Sequence, residues 1–198
     1  MLPFTEIRAQ SIGSLGEKRL LKKIRQWLGE VSPPSPLGVG DDAAVVTVET
    51  TEGNLVTVDG VLYGCHFDDS IVPEKVGAKL LKRNLSDIAA MGGTPTIAVI
   101  GLFLPSNLSI EWLEQFYRGL YSEATHWSVS IVGGDIIQST ESLGGHLTLL
   151  GHAERPLTRE GAVAGDAILV TGTLGGSRIS KHVDFCLLYP SPSPRDRG

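Results

Sequence analysis

The sequence predicts an α+β domain in which helices pack against a mixed sheet. Amphipathic helical segments alternate with β-rich runs, but they lack the strict βαβ regularity of a parallel, doubly wound sheet. The chain has 198 residues, of which 41% are hydrophobic, so it can bury a core of its own. Its length favours one complete domain and a remainder.

The helices are indicated by hydrophobic periodicity and by signals at their ends. A stripe of apolar residues at helical spacing predicts a first helix over about residues 14–30. A second helix, over about residues 73–91, has a proline in its first turn and two glycines after its end. Ser109 is a favourable N-cap for a third helix, whose aromatic and aliphatic residues recur every four positions.

The strands are predicted from β-branched and apolar runs bounded by turn residues. Two of them are joined by only three residues, which is the connection of a hairpin. A polar loop, Asp135 to Gly145, is expected between two later strands. The predicted strands cover residues 43–50, 54–62, 94–105, 128–134, 146–154 and 166–172.

Composition excludes several classes of function. The net charge is −5, which does not suit a nucleic-acid surface or a polybasic membrane patch. The longest apolar run, Ile97 to Leu104, is far shorter than the roughly 20 residues that span a bilayer. No secretory signal is present, and Cys65 and Cys186 are too far apart for a metal knuckle, so we expect a cytoplasmic protein with a small-molecule partner.

Four acidic sites are the candidates for chemistry. Asp41-Asp42 and Asp135 follow paired or spaced glycines, Asp59 lies near the end of a strand, and Asp87 lies within a helix. Carboxylates that converge repel one another unless a cation lies between them, and hard oxygen ligands suit Mg²⁺. Magnesium in turn implies a phosphate-bearing substrate.

Each candidate has a plainer alternative. Asp87 sits among leucines with Asn84 one turn back, yet both residues would be ordinary if they lay on a solvated helix face beside Lys82 and Arg83. The acidic pair after Gly40 is also typical of a turn or a helix cap, and Gly133-Gly134 of a tight turn.

Two further residues have chemistry suited to phosphate. His66 can donate a hydrogen bond to a phosphate, but a lone histidine is more often structural. Arg159 can clamp a phosphate in bidentate fashion, or it can form a surface ion pair with Glu160.

Six motifs stand in a recognisable order. They are GVGDDAAVV, TVDGVLYGCHF, KLLKRNLSDIAAMGGTP, a strand ending in LP, IVGGD and LTREGAVAGDAILVTGTLGGS. Together they resemble the thiamine-monophosphate kinase family of the PurM-like ATP-binding superfamily over residues 14–185. The resemblance implies Mg²⁺-dependent transfer of the γ-phosphate of ATP to thiamine monophosphate.

The same resemblance implies roles for individual residues. Catalysis would depend on Asp42, Asp59, Asp87 and Asp135. Val58 would reach a metal only through its backbone. Gly134, Asp135 and Arg159 match positions that bind the nucleotide, and His66 matches the position that contacts thiamine monophosphate. The implied metal ligands are Asp42, Thr57, Val58, Asp59, Asp87 and Asp135.

The resemblance also implies an organisation. A PurM-like N-terminal domain is expected over residues 1–155 and the beginning of a second α/β domain over 156–185. Residues 186–198 are rich in proline and without periodicity, so we expect a disordered or non-native tail. Family members are homodimers that join their sheets into a shared barrel, which predicts an interface through strands 43–62 and 94–104.

The likeness to the family ends abruptly after Phe185, so we expect phosphotransfer by this chain to be impaired. Two rival interpretations stay open. One is another enzyme of the superfamily, such as aminoimidazole ribonucleotide synthase, a hydrogenase maturation factor or selenophosphate synthetase. The other is a dimerising nucleotide- or metal-binding fragment without catalysis.

Overall fold

The computed structural model describes residues 1–33, 53–158 and 162–168. The predicted strand 43–50 lies outside these ranges, and residues 166–168, where another strand was predicted to begin, are not in a strand. The regular elements in chain order are α1 (Glu17–Leu28), β1 (Gly53–Leu62), α2 (Pro73–Ala90), β2 (Thr94–Pro105), α3 (Ile110–His126), β3 (Ser130–Ser139) and β4 (Gly144–Ala153).

The four strands form one mixed sheet in the order β1-β4-β2-β3. β4 pairs antiparallel with both β1 and β2, whereas β2 and β3 are parallel and are connected through α3. The predicted mixed sheet with helices on one face is confirmed. Within the described ranges, β1 and β3 are the two edge strands, so residues on them are separated by the full width of the sheet.

The two faces of the sheet have different environments. The helix face, which packs under the helices, carries buried apolar side chains such as Val61, Ile100 and Leu147. The opposite face, called the open face below, carries apolar side chains that are exposed to solvent. These exposed residues are Val56, Val58, Leu62, Val99 and Ile137.

The helix ends agree with their sequence signals. α2 begins at Pro73, whose missing N–H costs nothing in the first turn. The hydroxyl of Ser109 accepts a hydrogen bond from the backbone N–H of Trp112 at 3.3 Å and caps α3. None of the helices in the described ranges is long and apolar enough to cross a bilayer.

The prediction for β3 was wrong in one respect. Asp135 was expected in a loop after the strand, but β3 continues through it to Ser139. The physical reason is Gly134, where an added Cβ would lie 2.0 Å from the carbonyl oxygen of Ile100. The glycine therefore permits a close approach of β3 to β2, and it does not form a turn.

Candidate functional site

Two side-chain bonds connect the helix face of β1 to α2. The hydroxyl of Thr57 donates to Asp87 Oδ2 at 2.7 Å, and Arg83 Nη2 donates to Asp59 Oδ1 at 2.6 Å. Thr57 and Asp59 share a strand face because they are two residues apart, and Arg83 and Asp87 share a helix face because they are four apart. β1 and α2 therefore place both carboxylates side by side.

These bonds occupy one oxygen of each carboxylate. Asp59 Oδ1 also accepts the backbone N–H of Gly60 at 2.9 Å. In the part of the chain that the structure describes, Asp59 Oδ2 and Asp87 Oδ1 accept no hydrogen bond. Each carboxylate is thus fixed in orientation and retains one oxygen for a ligand. Hydrogen bonds of this kind orient the ligands of metal sites.

Asn84 lies behind this pair and is completely buried. Its amide nitrogen donates to the carbonyl of Leu80 at 3.0 Å and reaches that of Asp59 at 3.5 Å. Its Oδ1 atom has no hydrogen-bond partner among the described residues. An orphaned buried acceptor is costly, which indicates that a donor absent from these contacts satisfies it.

A cationic group borders the carboxylates on the side of the β1–α2 loop. Lys79 is buried, and its Nζ donates to the backbone carbonyl of His66 at 2.6 Å. His66 Nδ1 accepts the backbone N–H of Leu62 at 3.1 Å, which leaves Nε2 to carry the ring proton and donate outward. Burial, and then the positive charges of Arg83 and Lys79, lower the pKa of His66, so its ring is neutral at pH 7.

The donor set of this cluster fits a magnesium ion in part. Magnesium is commonly held by one or two carboxylates together with substrate phosphates and water. Asp59, Asp87 and Thr57 supply such oxygens, and Val58 points its side chain to the open face, so only its backbone is available. No group of three or more acidic, histidine or cysteine ligands occurs among the described residues.

The four predicted carboxylates do not all meet in one chain. Asp135 is paired through Gly101 and His146 to Gly60, which places it on the open face, whereas Asp59 is on the helix face. β1 and β3, which carry Asp59 and Asp135, are separated by three interstrand spacings, or about 14 Å. Convergence of Asp135 with Asp59 and Asp87 within one subunit was therefore predicted wrongly. Asp42 and Arg159 lie outside the described residues.

A cavity of about 500 Å³ opens beside Asp135. One wall is the edge strand β3, including Gly134 and Asp135, and the others come from α1, α3 and the N-terminal segment. Most of the lining is apolar, and burial raises the pKa of the Tyr117 hydroxyl, which therefore stays protonated. No sequence signal marked Tyr117 or the α1 residues as lining a cavity, because apolar periodicity in a helix indicates only core packing.

Sequence comparison supports a family assignment. Residues 40–153 match the family described as AIR synthase related protein, N-terminal domain. The chain is 37% identical over 172 residues to the thiamine-monophosphate kinase of Aquifex aeolicus (strain VF5), covering 87% of this chain and 53% of that protein. It is 38% identical over 159 residues to that of Rhodopirellula baltica, covering 76% and 50%. The chain thus spans about half the length of these curated relatives.

Solved structures give a consistent result. The complex of AaThiL with AMPPCP and TMP aligns with a TM-score of 0.65 at 37% identity, covering 86% of this chain and 53% of that one. Hydrogenase maturation protein HypE in complex with ATP aligns with a TM-score of 0.69 but only 19% identity, covering 96% and 59%, so it supports the fold alone. The chain belongs to the AIR synthase related family, and residues 40–153 match the N-terminal domain of that family.

Proposed function

We propose that this chain is the N-terminal, nucleotide- and magnesium-binding portion of a thiamine-monophosphate kinase. The reaction would transfer the γ-phosphate of ATP directly to the phosphate of thiamine monophosphate. The observation that carries the proposal is the pair of oriented carboxylates, Asp59 and Asp87, each with an oxygen left open. The identity to curated thiamine-monophosphate kinases supports the choice of substrate.

The residues of the site have distinct proposed tasks. Asp59 and Asp87, together with Asp42, would hold magnesium, with Thr57 orienting Asp87. Bound magnesium would neutralise phosphate charge and align donor with acceptor. The acceptor is itself a phosphate and needs little deprotonation, so no general base is required. His66 would donate its Nε2 proton to thiamine monophosphate, and Lys79 would hold the backbone that carries it.

The nucleotide would bind at the β3 edge. The cavity beside Gly134 has apolar walls and a volume suited to a nucleoside. The carboxylate of Asp135, on the open face at the same sheet edge, would hold a second magnesium at phosphates that extend past that edge. Arg159 would clamp those phosphates. The cytoplasm, where ATP and Mg²⁺ are abundant, is the proposed location.

A coupled assay with ATP, Mg²⁺ and thiamine monophosphate tests the proposal. It should be run on this chain and on a version extended to the length of the curated relatives. We expect turnover only in the extended version, because the acceptor's ring contacts would come from the added half. Equal turnover in both would refute the need for that half. No turnover in either would refute the kinase assignment and favour a binding fragment.

A homodimer would bring Asp135 of one subunit close to Asp59 and Asp87 of the other. The open face exposes Val56 by 67% and Val58 by 62%, which is unusual for a sheet face without a partner. Two such faces packed together would form the shared barrel and bring sheet edges into contact. The β1 edge of one subunit would then lie beside the β3 edge of the other, so that each site uses both.

A charge on the open face should therefore disrupt both assembly and ligand binding. We expect Val58→Asp to weaken the dimer at least tenfold, since its carboxylate would be buried in an apolar interface. Sedimentation velocity measures the dimer, and titration with AMPPCP and Mg²⁺ measures binding. Ile7→Asp, at an exposed apolar residue outside the sheet, is the matched control. A V58D protein that remains dimeric, or a wild-type monomer, would contradict the interface.

A further inference from the structure

Arg83 lies beside Asp59 and Asp87, but it has no role in the function proposed above. Its guanidinium contacts Asp59 at 2.6 Å, and the side chains of the two residues are only 21% and 27% exposed. Such a pair is partly shielded from water, so the charge of Arg83 acts strongly on its surroundings. Arg83 Nε is buried and has no hydrogen-bond partner among the described residues, so part of the donor capacity of the guanidinium is unused.

Among the described residues, cationic and anionic side chains at this site offset one another in part. Asp59 and Asp87 contribute two negative charges, while Arg83 and the buried Lys79, one turn earlier on α2, contribute two positive ones. Burial and then Arg83 lower the pKa of Lys79, which indicates that the two cations lie within each other's field. Arg83 therefore weakens the attraction that the Asp59–Asp87 pair exerts on a bare divalent cation.

A polyphosphate changes this balance. It brings negative charge that attracts both the divalent cation and the guanidinium, and the planar fork of arginine matches phosphate oxygens. From these contacts we infer that Arg83 makes cation binding at the Asp59–Asp87 pair conditional on a bound polyphosphate. The site then loads cation and phosphate together and does not hold a free metal ion. The inference rests on the proposed function, because it assumes that these carboxylates take a cation.

The alternative role for Arg83 has the opposite experimental sign. If Arg83 only orients Asp59, its removal frees that carboxylate to rotate and weakens cation binding. If Arg83 acts as a resident counter-ion, its removal leaves the pair more negative and strengthens binding of a free cation. The sign of the change in affinity separates the two roles.

The test uses Mn²⁺ as the probe, with electron paramagnetic resonance to count free ions in the presence of the 198-residue chain. Affinity is measured with and without inorganic tripolyphosphate. We expect Arg83→Met to raise the affinity for Mn²⁺ alone by about tenfold and to reduce the enhancement that tripolyphosphate gives. Arg83→Lys keeps the charge, so its affinity for Mn²⁺ alone should equal that of the wild type. The Asp87→Asn variant measures Mn²⁺ binding at other sites, and this background is subtracted. Circular dichroism verifies that each variant folds.

Two outcomes would overturn the inference. Unchanged or weaker Mn²⁺ binding by R83M would show that Arg83 only orients Asp59, and the proposed function would survive that result. Absence of Mn²⁺ binding that depends on Asp87, in wild type and R83M alike and with tripolyphosphate present, would remove the proposed cation site itself. The two failures are therefore distinguishable.

Discussion

Replacing Asp87 with asparagine is expected to lower phosphoryl transfer at least a hundredfold in the chain extended to the length of its relatives. The substitution keeps the shape of the side chain, and an amide oxygen can still accept the hydrogen bond from Thr57. What it removes is one of the negative charges that would hold magnesium against the transferring phosphate. Loss of preorganised charge at such a position typically costs two to three orders of magnitude.

Stability should not fall with activity in this variant. Asparagine keeps the hydrogen bond to Thr57 and removes only a charge, so the urea midpoint of D87N should equal that of the wild type. Asp69→Asn is the matched control, because Asp69 is an exposed carboxylate that accepts a hydrogen bond from the Tyr63 hydroxyl at 2.7 Å. Wild-type turnover by D87N, or equal losses in D87N and D69N, would exclude Asp87 from the site.

Replacing Gly119 with alanine is expected to destabilise the fold by about 3 kcal/mol, the upper range for overpacking a core. Gly119 of α3 lies against α2, and an added Cβ would be 1.9 Å from the carbonyl oxygen of Glu74. The contact is reciprocal, because a Cβ at Gly77 would be 2.0 Å from the carbonyl of Phe116. Both obstacles are backbone atoms, so the helices themselves must separate.

Helix propensity alone predicts the opposite sign for this variant. Alanine is more favourable than glycine by about 1 kcal/mol within a helix, so a stabilised G119A would show that the two helices do not pack this closely. Urea unfolding followed by circular dichroism measures the effect. Gly133→Ala is the control, since its Cβ would meet only Val99 Cγ1 at 3.8 Å, an ordinary contact. The position of α2 also positions Asp87, so G119A should weaken cation binding as well.

Local sequence signals were sufficient for most elements but not for the role of every glycine. The Pro73 and Ser109 helix starts are short-range features, and the structure places both helices where these predict. By contrast, the sequence left a tight turn at Gly133-Gly134 open as an alternative, because a single sequence does not reveal that Ile100 of another strand approaches Gly134. Asp135 was consequently predicted in a loop, whereas it lies within β3.

The candidate site was harder to predict from the sequence than the helices and strands, because it depends on how β1 and α2 pack together. A carboxylate within an apolar helix signalled Asp87, and its Thr57 contact places it against β1. Arg83, however, was considered only as part of a solvated face, since its partner Asp59 is 24 residues away and is reached only when β1 and α2 pack in this register. The distance between Asp135 and the pair Asp59 and Asp87 likewise follows from the order of the strands in the sheet, which no local sequence pattern specifies.

Anomalous diffraction from crystals grown with Mn²⁺ and AMPPCP tests the central claim most directly. We predict a manganese peak within about 2.3 Å of Asp59 Oδ2 or Asp87 Oδ1, with a phosphate oxygen of the nucleotide in its coordination shell. Nucleotide bound in the crystal with no manganese at either carboxylate would contradict the account.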